Sequence, residues 1–330
     1  MVVIGVDGGT TKTIALVASL DGCILGAARG AGSNWSGPDV ETPMAVVVQT
    51  VQNALDQSGV GREDAEIGAF TLAGADWPED SHRRQVVLES HHLARRIVVK
   101  NDAFGGLRAG TQAPYGVVIA AGTGANTAVI APDGREWAFG YYQSYGGAID
   151  MSQEAIEAVL RAEDGRGAPT LLASVVLDKL GYACVEDLLR ALVAREVSRA
   201  SKLAICPFVF EAANLGDEAA VELIVKHGFG LAEYAAAAIR RFGMQQSKFD
   251  VVLAGSLFKG QGPLLVDAVT LSIHRVAPHA RVRRSRFEPA VGAVLLAYDA
   301  LGLSVSAAMY DRLARTCPGQ GFFNTTEWRP

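Results

Sequence analysis

Hydrophobic and polar positions along the chain change period several times, and each change marks an element. Val2–Val6 is a nearly unbroken apolar run, as a buried strand requires. Ile14–Ser19 and Ile24–Arg29 are two further β runs, and Asp21-Gly22 between them predicts a hairpin turn. From Met44 to Gln57 apolar residues recur at helical spacing, with Val47, Val51 and Leu55 on one face. Ile67–Leu72 reads as a strand and Glu79–Leu93 as a polar helix. Ile97–Val99 is a short strand that delivers Lys100, Asn101 and Asp102, and Phe104–Thr111 is a helix. The pattern then restarts. Tyr115–Ala121 and Asn126–Ala131 are strands flanking Gly122-Thr123-Gly124, and Pro132-Asp133-Gly134 is a turn. Residues 151–247 read mainly as helix, broken at Asn214-Leu215-Gly216-Asp217. Val251–Ala254 is a strand, another begins at Val282, and Val291–Leu301 is an Ala-rich helix. The end of the chain, around Pro318-Gly319-Gln320-Gly321, reads as irregular.

Strand, glycine-rich turn, strand thus occurs twice, near residue 7 and near residue 122. This repetition predicts two related α/β halves facing each other across a cleft. At 330 residues the chain is long for a single core, so two domains are expected. They are residues 1–115, an N-terminal α/β domain, and 116–330, a C-terminal α/β domain with a helical insertion, whose last helix packs back on the first domain.

Composition narrows the function classes. The net charge of −5 and the absence of a Lys/Arg block argue against a nucleic-acid partner. Arg281-Val282-Arg283-Arg284-Ser285-Arg286 alternates with apolar residues and reads as a strand edge with a solvated face. Cys23, Cys184, Cys206 and Cys317 are too scattered for a zinc or iron–sulfur site. No basic leader precedes the first strand and no apolar stretch reaches membrane-spanning length, so a cytoplasmic protein with no membrane partner is expected.

Candidate chemistry lies in four places. Asp7-Gly8-Gly9-Thr10-Thr11-Lys12-Thr13 follows the first strand. Its glycines admit backbone N–H groups to anionic oxygens, its hydroxyls can donate to them, and Asp7 can hold a hydrated Mg²⁺ nearby. An ordinary tight hairpin is the alternative; Walker A and dinucleotide patterns are both excluded, since no Gly-Lys-Ser/Thr follows and a strand, not a helix, comes next. Gly122-Thr123-Gly124-Ala125-Asn126 repeats the arrangement, and two such loops can clamp a triphosphate from both sides. Asp102, at a strand end, is either the N-cap of the following helix or a general base for a substrate hydroxyl. Gly255-Ser256-Leu257-Phe258-Lys259-Gly260 is either a plain strand-to-helix loop or a seat for adenine or ribose.

These four segments, in this order, resemble the actin-like ATPase superfamily of sugar kinases, heat-shock chaperones and actin. Within it they are similar to the N-acetylglucosamine kinase branch, grouped with the BadF/BadG/BcrA/BcrD-type ATPases. Gly32-Ser33-Asn34-Trp35, Leu72-Ala73-Gly74-Ala75-Asp76, Asn101-Asp102-Ala103 and Glu288-Pro289-Ala290-Val291-Gly292-Ala293 support that branch, and the similarity runs from about residue 3 to about residue 300. The resemblance implies two ribonuclease-H-like domains around a cleft, with ATP and Mg²⁺ on its floor. It implies transfer of the γ-phosphoryl group to a sugar hydroxyl, with Asp102 as base and Asp7 holding Mg²⁺ through water. Nucleotide contacts would come from residues 7–13, Gly122, Thr123, Gly124, Gly255 and Ser256. Sugar contacts would come from Asn34, Trp35, Gly74, Asn101, Asp102, Thr123, Asn126 and Asp150. A homodimer is a family-level expectation.

The chain departs from the family where a Gly-Asp-Glu-Gly-Ser stretch is usual. Gly147 and Ala148 are expected at the places of its acids, with Asp150 nearby, and Ala125 replaces a usual Ser. The aromatic run Trp137, Phe139, Tyr141, Tyr142 and Tyr145 precedes the gap and suits either core packing or a sugar ring. The acceptor is therefore left open among sugars, amino sugars, cyclitols and glycosylated molecules. A non-catalytic ATP- or sugar-binding regulator is an alternative. So is an ATPase activator of a reductase or dehydratase, although the cysteines lack the glycine-flanked motif expected there.

Overall fold

The computed structural model describes residues 1–34, 39–260 and 262–324. Two five-stranded mixed sheets share one plan. The first runs β3(Ile24–Ala31), β2(Lys12–Ser19), β1(Val2–Gly8), β4(Ala65–Leu72), β5(Ile97–Asn101). The second runs β8(Glu136–Ala138), β7(Ala125–Ile130), β6(Gly116–Ala121), β9(Asp250–Ala254), β10(Arg281–Arg284). In each, three antiparallel strands are followed by two parallel ones, so the repeated strand–turn–strand signal reflects a repeated topology.

Alternation decides what covers each face. Val2, Ile4 and Val6 point to one side of the first sheet, against Met44, Val47, Val51 and Leu55 of α1(Glu41–Ser58). Val3, Ile14 and Leu16 point to the other, against α11(Pro289–Ala300). One face of the second sheet packs on a helical layer containing α4(Ala148–Glu163), α9(Glu218–Arg241) and α10(Leu264–Val276). The break expected in residues 214–217 separates α8(Cys206–Asn214) from α9, with Asp217 capping α9 through the Ala220 N–H at 2.8 Å. Residues 281–284 of the basic run form β10, an edge strand, as its alternation implies.

Two helices cross between the halves. α3(Asp102–Gly110) leaves the first sheet and packs on Val118, Ala128, Val252 and Ala254 of the second. α11 follows β10 yet packs on the first sheet. The two meet where a Cβ on Gly292 would lie 1.9 Å from the Gly105 carbonyl oxygen. Only backbone fits there, so Gly292→Ala must push the helices apart. It is expected to cost about 1–3 kcal/mol of unfolding free energy, read as a lower urea midpoint. An unchanged midpoint would contradict so close a crossing.

The C-terminal expectation needs correction. Residues 307–323 are not simply irregular: α12(Ala307–Thr316) and α13(Gln320–Phe323) pack on the first sheet. α12 buries only Met309, Tyr310 and Leu313, too sparse a stripe to stand out in sequence. The three-residue β8 is also added. No helix among the described residues is long and apolar enough to cross a membrane.

Candidate active site

The C-terminal ends of β1 and β6 open into one cleft of about 630 Å³. The β1–β2 turn closes with the Gly9 N–H donating to the Lys12 carbonyl at 2.9 Å, and the β6–β7 turn with the Gly122 N–H donating to the Gly124 carbonyl at 2.8 Å. Gly9, Thr10, Thr11 and Lys12 line one wall, and Gly122, Thr123 and Gly124 the other. The Thr11 and Thr123 hydroxyl oxygens face each other at 3.4 Å. Two turns rich in glycine and hydroxyl groups, one from each half, are suited to a polyphosphate between them.

Not every residue of the first loop faces the cleft. Thr13 is buried; its hydroxyl donates to the Ala31 carbonyl and pairs with the Ser33 hydroxyl, both at 2.8 Å. Gly8 is absent from the cleft wall and packs on Leu72 and Ser33. Both residues hold the loop rather than line the site. Asn34 lines the cleft and donates to Thr10 Oγ1 at 3.2 Å. Trp35 lies outside the described residues.

Asp102 is the first residue of α3, and its neighbour takes the capping role: Asn101 Oδ1 accepts from the Ala103 N–H at 3.0 Å. Its carboxylate, which the first backbone N–H groups of α3 also approach, lines the cleft. Burial, then the nearby Asp76 carboxylate, pushes it up to about 6. The helix N-terminus favours the anion, but desolvation outweighs it. A carboxyl tuned to this range suits proton transfer near neutral pH.

Asp7, at the end of β1, is pushed up to about 7, first by burial and then by the Asp102 carboxylate, with Glu288 adding and Lys12 opposing. Anionic side chains crowded in a buried site favour a hard cation among them. Among the described residues no three His, Cys, Asp or Glu side chains converge as an all-protein cage. The fit is to a hydrated ion held chiefly by phosphate oxygens and one carboxylate. Lys12 Nζ donates to the Phe323 carbonyl, and burial pulls its pKa down.

Past β9, Gly255 has φ +97°, and a Cβ there would lie 2.3 Å from the Ala121 carbonyl oxygen. Only glycine lets this turn touch the second phosphate-type loop. Ser256 and Lys259 also line the cleft, and Lys259 Nζ is 2.5 Å from Glu288 Oε1.

The far end is built by a relay of amides. Asn101 Nδ2 donates to Asp76 Oδ1 at 2.7 Å, Asn126 Nδ2 donates to Asn101 Oδ1 at 3.0 Å, and the Gly140 N–H donates to Asn126 Oδ1 at 3.0 Å. The chain of bonds ties β5, β7 and the turn after β8 together behind Asp102. Asn126 and Gly74 line the cleft, whereas Asn101 acts through its partners. Asp150 is not brought in. Its carboxylate accepts from the Gly146 and Gly147 N–H groups at 3.1 and 2.9 Å, at the start of α4. Gly147 and Ala148 likewise begin α4, and the cleft takes Gly140, Tyr141, Gln143 and Ser144 from this segment instead.

Gln143 was silent in sequence. It is buried, its Nε2 donates to the Tyr145 carbonyl at 3.2 Å, and its Oε1 has no partner among the described residues. An unmet buried acceptor in a cleft wall is suited to a ligand O–H or N–H. Asp76 and Glu288 were also missed, although both sit inside the motifs quoted above. Phe323 and Asn324 line the cleft with no local signal at all.

Comparison with known proteins adds four findings. The family model described as BadF/BadG/BcrA/BcrD ATPase family matches residues 4–297. The chain is 26% identical over 311 residues to the N-acetyl-D-glucosamine kinase of Dictyostelium discoideum, covering 90% of this chain and 97% of that one. It is 25% identical over 299 residues to the N-acetylmuramic acid/N-acetylglucosamine kinase of Clostridium acetobutylicum, covering 89% and 97%. A crystal structure of a candidate N-acetylglucosamine kinase from Chromobacterium violaceum superposes with a TM-score of 0.66 at 25% identity, covering 89% of this chain and 98% of that one.

Proposed function

The chain belongs to the BadF/BadG/BcrA/BcrD ATPase family, and on that premise we propose that it transfers the γ-phosphoryl group of ATP to a hydroxyl of a hexose derivative, an amino sugar of the N-acetylglucosamine type. The observation that carries this reading is the pair of opposed loops, with Thr11 and Thr123 oxygens 3.4 Å apart, in the same cleft as the Asp7 and Asp102 carboxylates. The names of the Dictyostelium and Clostridium relatives support a sugar acceptor. Residues 1–115 and 116–330 are taken as the two domains, with α11 to α13 packed back on the first sheet.

In the reaction, the bond from the γ-phosphorus to the β,γ-bridging oxygen breaks and ADP leaves with its electron pair. The acceptor oxygen bonds to phosphorus, and its proton passes to the Asp102 carboxylate. Mg²⁺, when bound with the nucleotide, supplies charge neutralisation on the phosphate oxygens, and Asp7 is placed to hold it through water. The loop N–H groups and threonine hydroxyls orient the phosphates, while Gly255 and Ser256 bound the nucleotide end. Asn34, Asn126 and Gln143 offer hydrogen bonds to the acceptor. Positioning and fixed dipoles supply most of the rate.

The test is ADP release measured across a panel of free sugars. Strong stimulation by N-acetylglucosamine or a close relative is expected. Sugar-independent hydrolysis, or ATP binding without turnover on any acceptor, would sink the kinase reading.

A further inference from the structure

We propose that the acceptor carries a second, uncharged sugar ring, and that Trp77, Tyr141 and Tyr142 form the subsite that holds it. The proposal rests on the kinase reading for the place of the first ring and goes beyond it in the size of the acceptor. Trp77, Tyr141 and Tyr142 are 46%, 55% and 65% exposed, yet their rings stand together, with Tyr141 in the cleft wall. Trp77 comes from the segment after β4, and the two tyrosines from the turn after β8, so both halves contribute. The Trp77 and Tyr141 rings stack with centroids 6.0 Å apart, Trp77 meets Tyr142 edge-on at 6.2 Å, and Tyr142 leans on Trp137 at 6.2 Å. Behind them Trp137 packs on Phe139 at 4.4 Å, and Phe139 on Tyr234 of α9 at 5.2 Å, which anchors the row in the second core.

The aromatic patch is continuous with the site. Tyr141 lines the cleft, as do Gly140 and Asp76 beside it, and a Cβ on Gly140 would lie 2.6 Å from that of Asp76. Contiguous exposed aromatic surface at a cleft mouth marks a binding site, and a flat ring packs against the C–H face of a pyranose while the hydroxyls of the sugar stay in water. At Tyr141, the residue that joins the patch to the cleft, the local charge favours an uncharged partner, while Arg241 covers Trp137 behind it. The carboxylates of Asp80 and Asp76 act on the Tyr141 hydroxyl, against one guanidinium, that of Arg84. Carboxylates accept sugar hydroxyls and repel a lactyl carboxylate or a phosphate on the incoming molecule.

The test compares N,N′-diacetylchitobiose, N-acetylglucosamine and N-acetylmuramic acid on the full-length protein, Trp77→Ala and Tyr142→Ala. Two readouts are taken: kcat/KM from ADP release, and calorimetric affinity in the presence of a non-hydrolysable ATP analogue. The wild type is expected to bind and phosphorylate the disaccharide about tenfold better than the monosaccharide. Each variant loses most of that preference while its monosaccharide constants stay within about twofold. Equal affinity for the two sugars, preference for N-acetylmuramic acid, or an equal loss on both sugars in the variants overturns the proposal. So does a change of oligomeric state in the variants without a change in preference, which would assign the patch to self-association. Tighter disaccharide binding with no phosphorylation of any sugar removes the kinase reading and leaves the subsite. Turnover of the monosaccharide with no preference does the reverse.

Discussion

Asp102→Asn is expected to lower turnover by ~10²–10⁴-fold while ATP still binds. The substitution keeps the size and polarity of the side chain and removes only its basicity. The helix should tolerate it, because Asn101 Oδ1 accepts from the Ala103 N–H and caps α3. On the proposed mechanism, what is lost is the group that receives the acceptor proton. The pH profile supplies a second arm. Since burial and Asp76 hold the carboxyl up to about 6, it becomes protonated as pH falls through that value and can no longer take a proton. The wild-type kcat/KM should therefore fall on the acid side of about 6, and the residual rate of the variant should lack that limb. Near-normal turnover in Asp102→Asn, with nucleotide affinity preserved, would remove Asp102 from the base role.

That Asp102 faces the cleft was only half legible. A lone Asp at a strand end is ambiguous in sequence between cap and base, and its neighbour Asn101 resolves the ambiguity in space. The phosphate-type loops were legible because their character is local: glycine and hydroxyl residues directly after an apolar strand. The strands were legible because burial on both faces leaves a continuous apolar run, as in Val2–Val6. β8 and α12 were not, since each buries too few side chains to impose a period. The acceptor end was least legible. It is assembled from residues 74–76, 101–102, 126 and 140–144, which only the sheet topology brings together. Asp150 shows the cost of reading such a site along the chain: an acid at a plausible place is used instead to close the start of α4.

Asp7→Asn is expected to stabilise the ligand-free protein while depressing turnover, a pairing that distinguishes a functional carboxylate from a structural one. Burial, with Asp102 and Glu288, pushes the Asp7 carboxyl from an ordinary 3.8 to about 7. The folded protein thus holds a proton that the unfolded chain releases. A group shifted in this direction costs nothing below about 4, and its cost grows as pH rises, levelling off above about 7. At one pKa unit per 1.36 kcal/mol, the shift corresponds to about 4 kcal/mol against the folded state at pH 8. Asparagine carries no charge to desolvate, so the unfolding temperature of the variant at pH 8 should exceed the wild type by several degrees, and the gap should narrow towards pH 5. Nucleotide with Mg²⁺ should reverse the order. A cation bound beside Asp7 would compensate the ionised carboxylate, so added Mg²⁺ and ATP analogue should raise the wild-type unfolding temperature far more than that of the variant. A variant no more stable than the wild type at pH 8, or one that gains as much from the nucleotide, would show that Asp7 is neither strained in the free protein nor a support for the metal. Strain of this kind is expected where a site is built for a ligand charge that the fold itself does not supply.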